Sequence, residues 1–114
     1  MSQALVVFVT CSSLAEARRI ARSAVESRLA ACANLLPGQV DSIYCWKGRI
    51  EQARERLLLM KTTRAKFPAL REAILRLHSY DVPEIIALPI AAGLPAYLDW
   101  VRDSVSDNKK RIAG

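Results

Sequence analysis

A single histidine, His78, stands among 114 residues. One imidazole with no partner pattern around it gives little support to a hydrolytic triad. There is no Gly-x-Ser-x-Gly elbow and no glycine-rich phosphate loop. The three cysteines, Cys11, Cys32 and Cys45, are odd in number and too widely spaced for a Cys-x₂₋₄-Cys zinc knuckle. No repeat or low-complexity run occurs. The longest apolar run falls far short of the roughly 18 residues that would suggest a membrane span. The opening stretch MSQALVVFVT has neither a basic n-region nor a small-residue cleavage site. The expectation is therefore a cytoplasmic protein with reduced thiols and no membrane partner.

What is present is an apolar, moderately basic chain. Hydrophobic residues make up 52%, and Lys+Arg exceed Asp+Glu by 17 to 11, a formal charge of +6. That composition argues against disorder, and the length suits one core rather than two. We expect one domain over residues 1–106 and a basic, frayed tail over 107–114. The arginines are spread over helices and tail, as on solvated helix faces, rather than massed as an anion-binding run.

The pattern is organised around Val40 to Thr62, which predicts a β-hairpin turning at Lys47-Gly48, with arms of about ten residues or more. A hairpin of that length overhangs the core, and its aromatics Tyr44 and Trp46 call for cover from another chain. Before it, the valine-rich run Ala4 to Val9 predicts a strand buried on both faces. Thr10-Cys11-Ser12-Ser13 ends that strand in a loop. Ser13 and Glu16 have capping-box spacing, opening an amphipathic helix to about Arg28. Leu29 to Leu36 is a second extended stretch, interrupted at Pro37-Gly38 before continuing as the hairpin's first arm. After the hairpin, Thr63 caps a second helix striped by Phe67, Leu70, Ile74 and Leu77. A loop from His78 to Glu84, a strand from Ile85 to Ile90 and a short helix from Pro95 follow. This order is that of an α+β, ferredoxin-like βαββαβ sandwich with a long hairpin and a C-terminal helix. Helices cover one face of its sheet, and the other face needs a partner, a ligand or polar residues. RNA-binding domains on this plan carry stacking aromatics on central strands. Glu55 to Thr62 has none, so a nucleic-acid partner is not expected.

Three places hold chemistry to weigh. His78 and Glu84 offer an imidazole and a carboxylate to an ion, although an imidazole ending a helix also suits the negative dipole end. Trp46-Lys47-Gly48-Arg49 is either an aromatic platform or a turn with a cross-strand contact. Glu51, Glu55 and Lys61 share one strand face, as a polar ligand site or as solvated charges. Cys11, expected just before a helix start, is placed where a thiolate would be favoured.

The segments Leu29-Ala30-Ala31-Cys32-Ala33-Asn34, Ser42-Ile43-Tyr44-Cys45-Trp46-Lys47-Gly48-Arg49-Ile50-Glu51, Lys61-Thr62, His78-Ser79-Tyr80-Asp81-Val82-Pro83-Glu84-Ile85 and Tyr97-Leu98-Asp99-Trp100 resemble the CutA divalent-cation tolerance family, in the same order, from Val6 to about Val101. The resemblance implies a homotrimer related in architecture to the PII signalling proteins, with hairpins reaching neighbouring subunits. It implies tolerance to copper and other divalent ions, no enzymatic reaction, no organic cofactor, and copper or zinc as the bound ion. Thr10, Trp46, Glu55, Lys61, His78, Tyr80 and Glu84 would line an inter-subunit cleft, with His78 as the family's metal contact beside the Glu84 carboxylate weighed above. The sequence departs from the family pattern at Val9, where copper-binding members carry cysteine, at Leu77, where they can carry a second histidine, and at Ser79, where proline is usual. The alternative implied function is a PII-like trimer sensing a small anionic metabolite through Lys61 and nearby arginines.

Overall fold

The computed structural model describes residues 3–107; the expected tail at 107–114 lies outside them beyond Asp107. Strand β1, Ala4–Cys11, alternates in burial from Leu5 onward. Val7, Val9 and Cys11 are fully buried, while Val6, Phe8 and Thr10 are half-buried. The expected burial on both faces is corrected: a full helix layer covers only one side. The expected break at Thr10-Cys11 is corrected too. Cys11 remains in the ladder because Arg56 stands opposite it.

Helix α1, Leu14–Glu26, starts at Ser13, whose hydroxyl accepts from the Glu16 N–H at 3.1 Å. Its face of Ala17, Ile20, Ala21 and Ala24 is buried. Short strand β2, Cys32–Leu35, and strand β3, Val40–Trp46, then line the same edge of the fifteen-residue strand β4, Arg49–Thr63. β2 lies opposite Leu58 to Lys61 and β3 opposite Arg49 to Glu55. They are one strand interrupted at Pro37-Gly38, as expected from the proline. Lys47 and Gly48, with φ of 52° and 77°, both adopt the left-handed conformation that a two-residue I′ hairpin turn requires. The first arm, at seven residues, is shorter than expected. A Cβ on Gly48 would meet no atom within 4 Å, so Gly48→Ala should cost only the backbone term, about 1 kcal/mol. The urea midpoint at fixed protein concentration would read this.

Helix α2, Phe67–Leu77, begins at Lys66 with Pro68 in its first turn. The expected cap, Thr63, instead ends β4, and its carbonyl accepts from the Lys66 N–H at 3.1 Å. The intervening Arg64 and Ala65 form part of a turn that separates strand from helix. Strand β5, Ile85–Pro89, and helix α3, Pro95–Val105, complete the fold. The sheet order is β2-β4-β1-β5, with β3 paired to β4. Every pairing is antiparallel, which is the ferredoxin-like arrangement. The buried stripes of α1 and α2 close the main core over Val7, Val9, Cys11, Leu58 and Met60.

On the other face, Val101 and Val105 of α3 cover only one end, around Ala4 and Ala31. The register sets Phe8 beside Leu59 and Ile86 on that open face. Ile86 and Leu88 are each 49% exposed, and Trp46 at the hairpin tip is 50% exposed. Ile43, Tyr44, Ile50, Tyr97 and Trp100 are exposed as well. No helix among the described residues is long and apolar enough to cross a membrane.

Candidate functional site

Where α2 ends, His78 takes an extended conformation and turns its ring onto the end of β1. Its Nδ1 accepts from the Tyr80 N–H at 3.1 Å, and its Nε2 lies 2.8 Å from the Thr10 carbonyl oxygen. An amide N–H can only donate and a carbonyl can only accept. The pairings therefore place a neutral ring's proton on Nε2 and its lone pair on Nδ1. The side chain is fully enclosed. Tyr80 packs against it with ring centroids 4.8 Å apart and donates its hydroxyl to Glu55 Oε2 at 2.9 Å. Burial, followed by the Glu55 carboxylate, pushes the Tyr80 phenol up to about 12.

Glu16 in the first turn of α1 is 3% exposed. Its Oε1 accepts from the Ser12 N–H at 2.9 Å and the Ser12 hydroxyl at 3.1 Å, and its Oε2 accepts from the Ser79 N–H at 2.9 Å. Burial raises its carboxyl pKa, but hydrogen bonds from Ser79 and Ser12, aided by His78, outweigh burial and leave it below the ordinary value. The capping box is thus half as expected. Ser13 caps the helix, while the Glu16 carboxylate spends its bonds on Ser12 and on the distant Ser79. A proline at position 79 would bring no N–H to this contact. The Ser12 and Ser79 hydroxyls lie 3.2 Å apart above it, exposed.

Cys11 completes the group. Its thiol, expected in a loop and thiolate-favouring, is enclosed; burial first, then Glu16 and Glu55, push it up to about 12. A proton that firmly held leaves no free nucleophile. Ligand atoms of Cys11, Glu16 and His78 all lie within 4.8 Å of one another, and His78 Nε2 is 3.9 Å from Glu16 Oε1.

Of the residues singled out from sequence, Thr10 through its carbonyl, Glu55, His78 and Tyr80 meet in one chain. Trp46 lies opposite Arg49 while Glu55 lies opposite Val40, a separation of about 20 Å along the strand. Lys61 lies a similar distance the other way, and its ammonium donates to Asn34 Oδ1. Glu84 is exposed, and among the described residues no hydrogen bond or ion pair joins it to His78. Glu16 and Ser79 enter the site beyond the sequence-derived set, and the capping-box spacing and the serine in a proline place were the signals that pointed to them. Cys11, weighed from sequence as a reactive thiol in a loop, joins the site as an enclosed thiol at the end of β1.

Residues 5–104 match the family model described as CutA1 divalent ion tolerance protein. The chain is 52% identical over 99 residues to the divalent-cation tolerance protein CutA of Thermus thermophilus, covering 87% of this chain and 95% of that one. It is 50% identical over 104 residues to Protein CutA of Mus musculus, covering 89% of this chain and 58% of that protein. The solved divalent cation tolerance protein of Thermus thermophilus superposes with a TM-score of 0.86 at 51% identity, covering 89% of this chain and 97% of that one. The periplasmic divalent cation tolerance protein CutA of Archaeoglobus fulgidus also superposes at 0.86, with 39% identity over 90% of this chain and 99% of that one.

Proposed function

The chain belongs to the CutA1 divalent ion tolerance protein family, and from that premise we propose that it is a cytoplasmic, homotrimeric, non-enzymatic protein. It binds or responds to divalent ions such as copper at clefts between subunits. Residues 1–106 form its single domain, and His78 with Glu84 provides the ion contact. The observation that carries this reading is the His78 loop folded onto the end of β1, which sets its imidazole 3.9 Å from the Glu16 carboxylate, with Glu84 exposed at the end of the same loop. The trimer is supported by the open apolar sheet face and the exposed aromatics of the hairpin. In a trimer, Trp46 of one subunit would approach the site of the next, uniting residues that are separated within one chain.

Metal titration calorimetry on reduced, tag-free protein tests the ion reading. Copper or zinc should bind saturably, with affinity lost in His78→Ala and weakened in Glu84→Gln. The exposed Glu84 variant keeps the test independent of folding. Binding no tighter than about millimolar, near −4 kcal/mol, for copper, zinc and nickel alike would overturn the reading while leaving the fold intact.

A further inference from the structure

We infer that Cys11, Glu16 and His78 form a buried site, contained within one subunit, for a borderline divalent cation of the zinc or cobalt class. The inference deepens the reading above and rests on it, in that the chain must take up a divalent ion. It relocates the ion from the exposed Glu84 to the enclosed end of β1.

Three observations converge. The ligand atoms of the three residues lie within 4.8 Å of one another, and the His78–Glu16 edge is already 3.9 Å. A tetrahedral ion at ordinary zinc–sulfur, zinc–nitrogen and zinc–oxygen distances needs edges of roughly 3.3–3.6 Å, so the group has only to contract. Second, Cys11 is fully buried, and among the described residues its sulfur makes no hydrogen bond, whereas the side chains of Glu16 and His78 beside it are both hydrogen-bonded. Third, Glu16 accepts three hydrogen bonds, while a carboxylate offers about four lone-pair sites. The oxygen facing His78 is Oε1, and it is freed for an ion when the exposed Ser12 hydroxyl turns to solvent, the Ser12 and Ser79 N–H bonds to the carboxylate being kept.

The donor set selects the ion. One thiolate, one imidazole and one carboxylate suit zinc or cobalt better than a hard ion such as magnesium or calcium. A doubly charged ion would neutralise the thiolate and the Glu16 carboxylate together, so the enclosed site would carry no net charge. The exposed Ser12 and Ser79, whose hydroxyls lie 3.2 Å apart, stand between the group and solvent, and an ion would enter as that contact opens. On binding, the Cys11 S–H bond breaks and its proton passes to buffer as the sulfur–metal bond forms. The His78 ring exchanges its proton from Nε2 to Nδ1 through solvent and gives up the Thr10 carbonyl for the ion. The Tyr80 N–H turns to water, as the exposed loop around it allows. One proton is released per ion, and nothing is oxidised or reduced.

The test is cobalt(II) titration of the full chain carrying Cys32→Ser and Cys45→Ser, in which Cys11 is the sole thiol. A saturating near-ultraviolet thiolate-to-cobalt band is expected. It should be displaced by zinc, unchanged by added Glu26→Gln at the exposed far end of α1, and weakened in affinity roughly tenfold or more by Glu16→Gln. The same band in the otherwise unaltered chain should vanish with Cys11→Ser. Absence of a thiolate band in the Cys11-only chain up to millimolar cobalt overturns the inference. Should calorimetry then still show ion binding that depends on Glu84, the reading of the previous subsection stands alone. Should no ion bind at all, both fall.

Discussion

Glu16→Ala should cost about 4 kcal/mol of stability, more than any other single polar substitution in the chain. The carboxylate is buried, and it satisfies the Ser12 N–H, the Ser12 hydroxyl and the Ser79 N–H. Hydrogen bonds to a charged group contribute about 1.5–3 kcal/mol each. Ser12 and Ser79 are exposed residues, so water can partly replace the lost acceptor, which brings the sum to the lower end. The contact joins segments 63 residues apart, tying the β1–α1 junction to the loop before β5. Glu16→Gln should lose about half as much. Its carbonyl oxygen can still accept from one side, but its amide then sets N–H against N–H on the other. Urea unfolding at fixed protein concentration would measure both; a loss below about 1 kcal/mol for the alanine variant would show that the clamp is not a stabilising contact.

The same carboxylate gives the protein an acid sensitivity of known sign. Its folded pKa is held below the ordinary value of 4.5. The unfolded chain therefore binds this proton first as pH falls. Its contribution is complete above the ordinary value and is lost as pH drops through the lower folded value. Glu16→Gln should flatten that part of the stability profile, leaving the difference between the two proteins smaller at the acid end than at neutrality.

Sequence pattern made the element order, the tight turn at Lys47-Gly48, the interrupted edge strand and the aromatic overhang legible, because each rests on local chemistry: periodicity, a positive φ at Gly48, a missing N–H. It did not make the end of β1 legible. Thr10-Cys11-Ser12-Ser13 reads as a break in any local window, yet a strand's length is set by its partner, and β4 runs far enough to hold Cys11 opposite Arg56. That one residue moves the thiol from an exposed loop to the inner face beside Val9. The same limit hid the role of Glu16. A capping box predicts a bond back to the cap, whereas the folded chain supplies Ser79 from the far end of α2. Thr63 failed as a cap for the opposite reason: β4 absorbed it into the ladder with Ala4.

If the proposed trimer forms, Ile86→Asp with Leu88→Asp should reduce the mass in solution from three chains to one at micromolar concentration. Both side chains are half exposed on β5, and the register places them beside Phe8 and Val6. Burying a large apolar side chain gives about 1.5–3 kcal/mol. Seating an unpaired carboxylate there adds a desolvation cost of several kcal/mol at each interface. Since a substituted trimer would repeat that cost at every contact, dissociation is the expected outcome rather than a weakened trimer. Trp46→Ala should act more mildly, with an aromatic anchor contributing about 2 kcal/mol or more to an interface, and should make the melting temperature depend more steeply on concentration. Sedimentation equilibrium distinguishes the cases. A parent chain that is monomeric at micromolar concentration, or an aspartate variant that keeps its mass, would remove the trimer from the proposal. If mass is lost in both variants, the sheet face and the hairpin tip belong to one assembly. Trp46, which cannot reach His78 in its own subunit, would then have a neighbour's site to line.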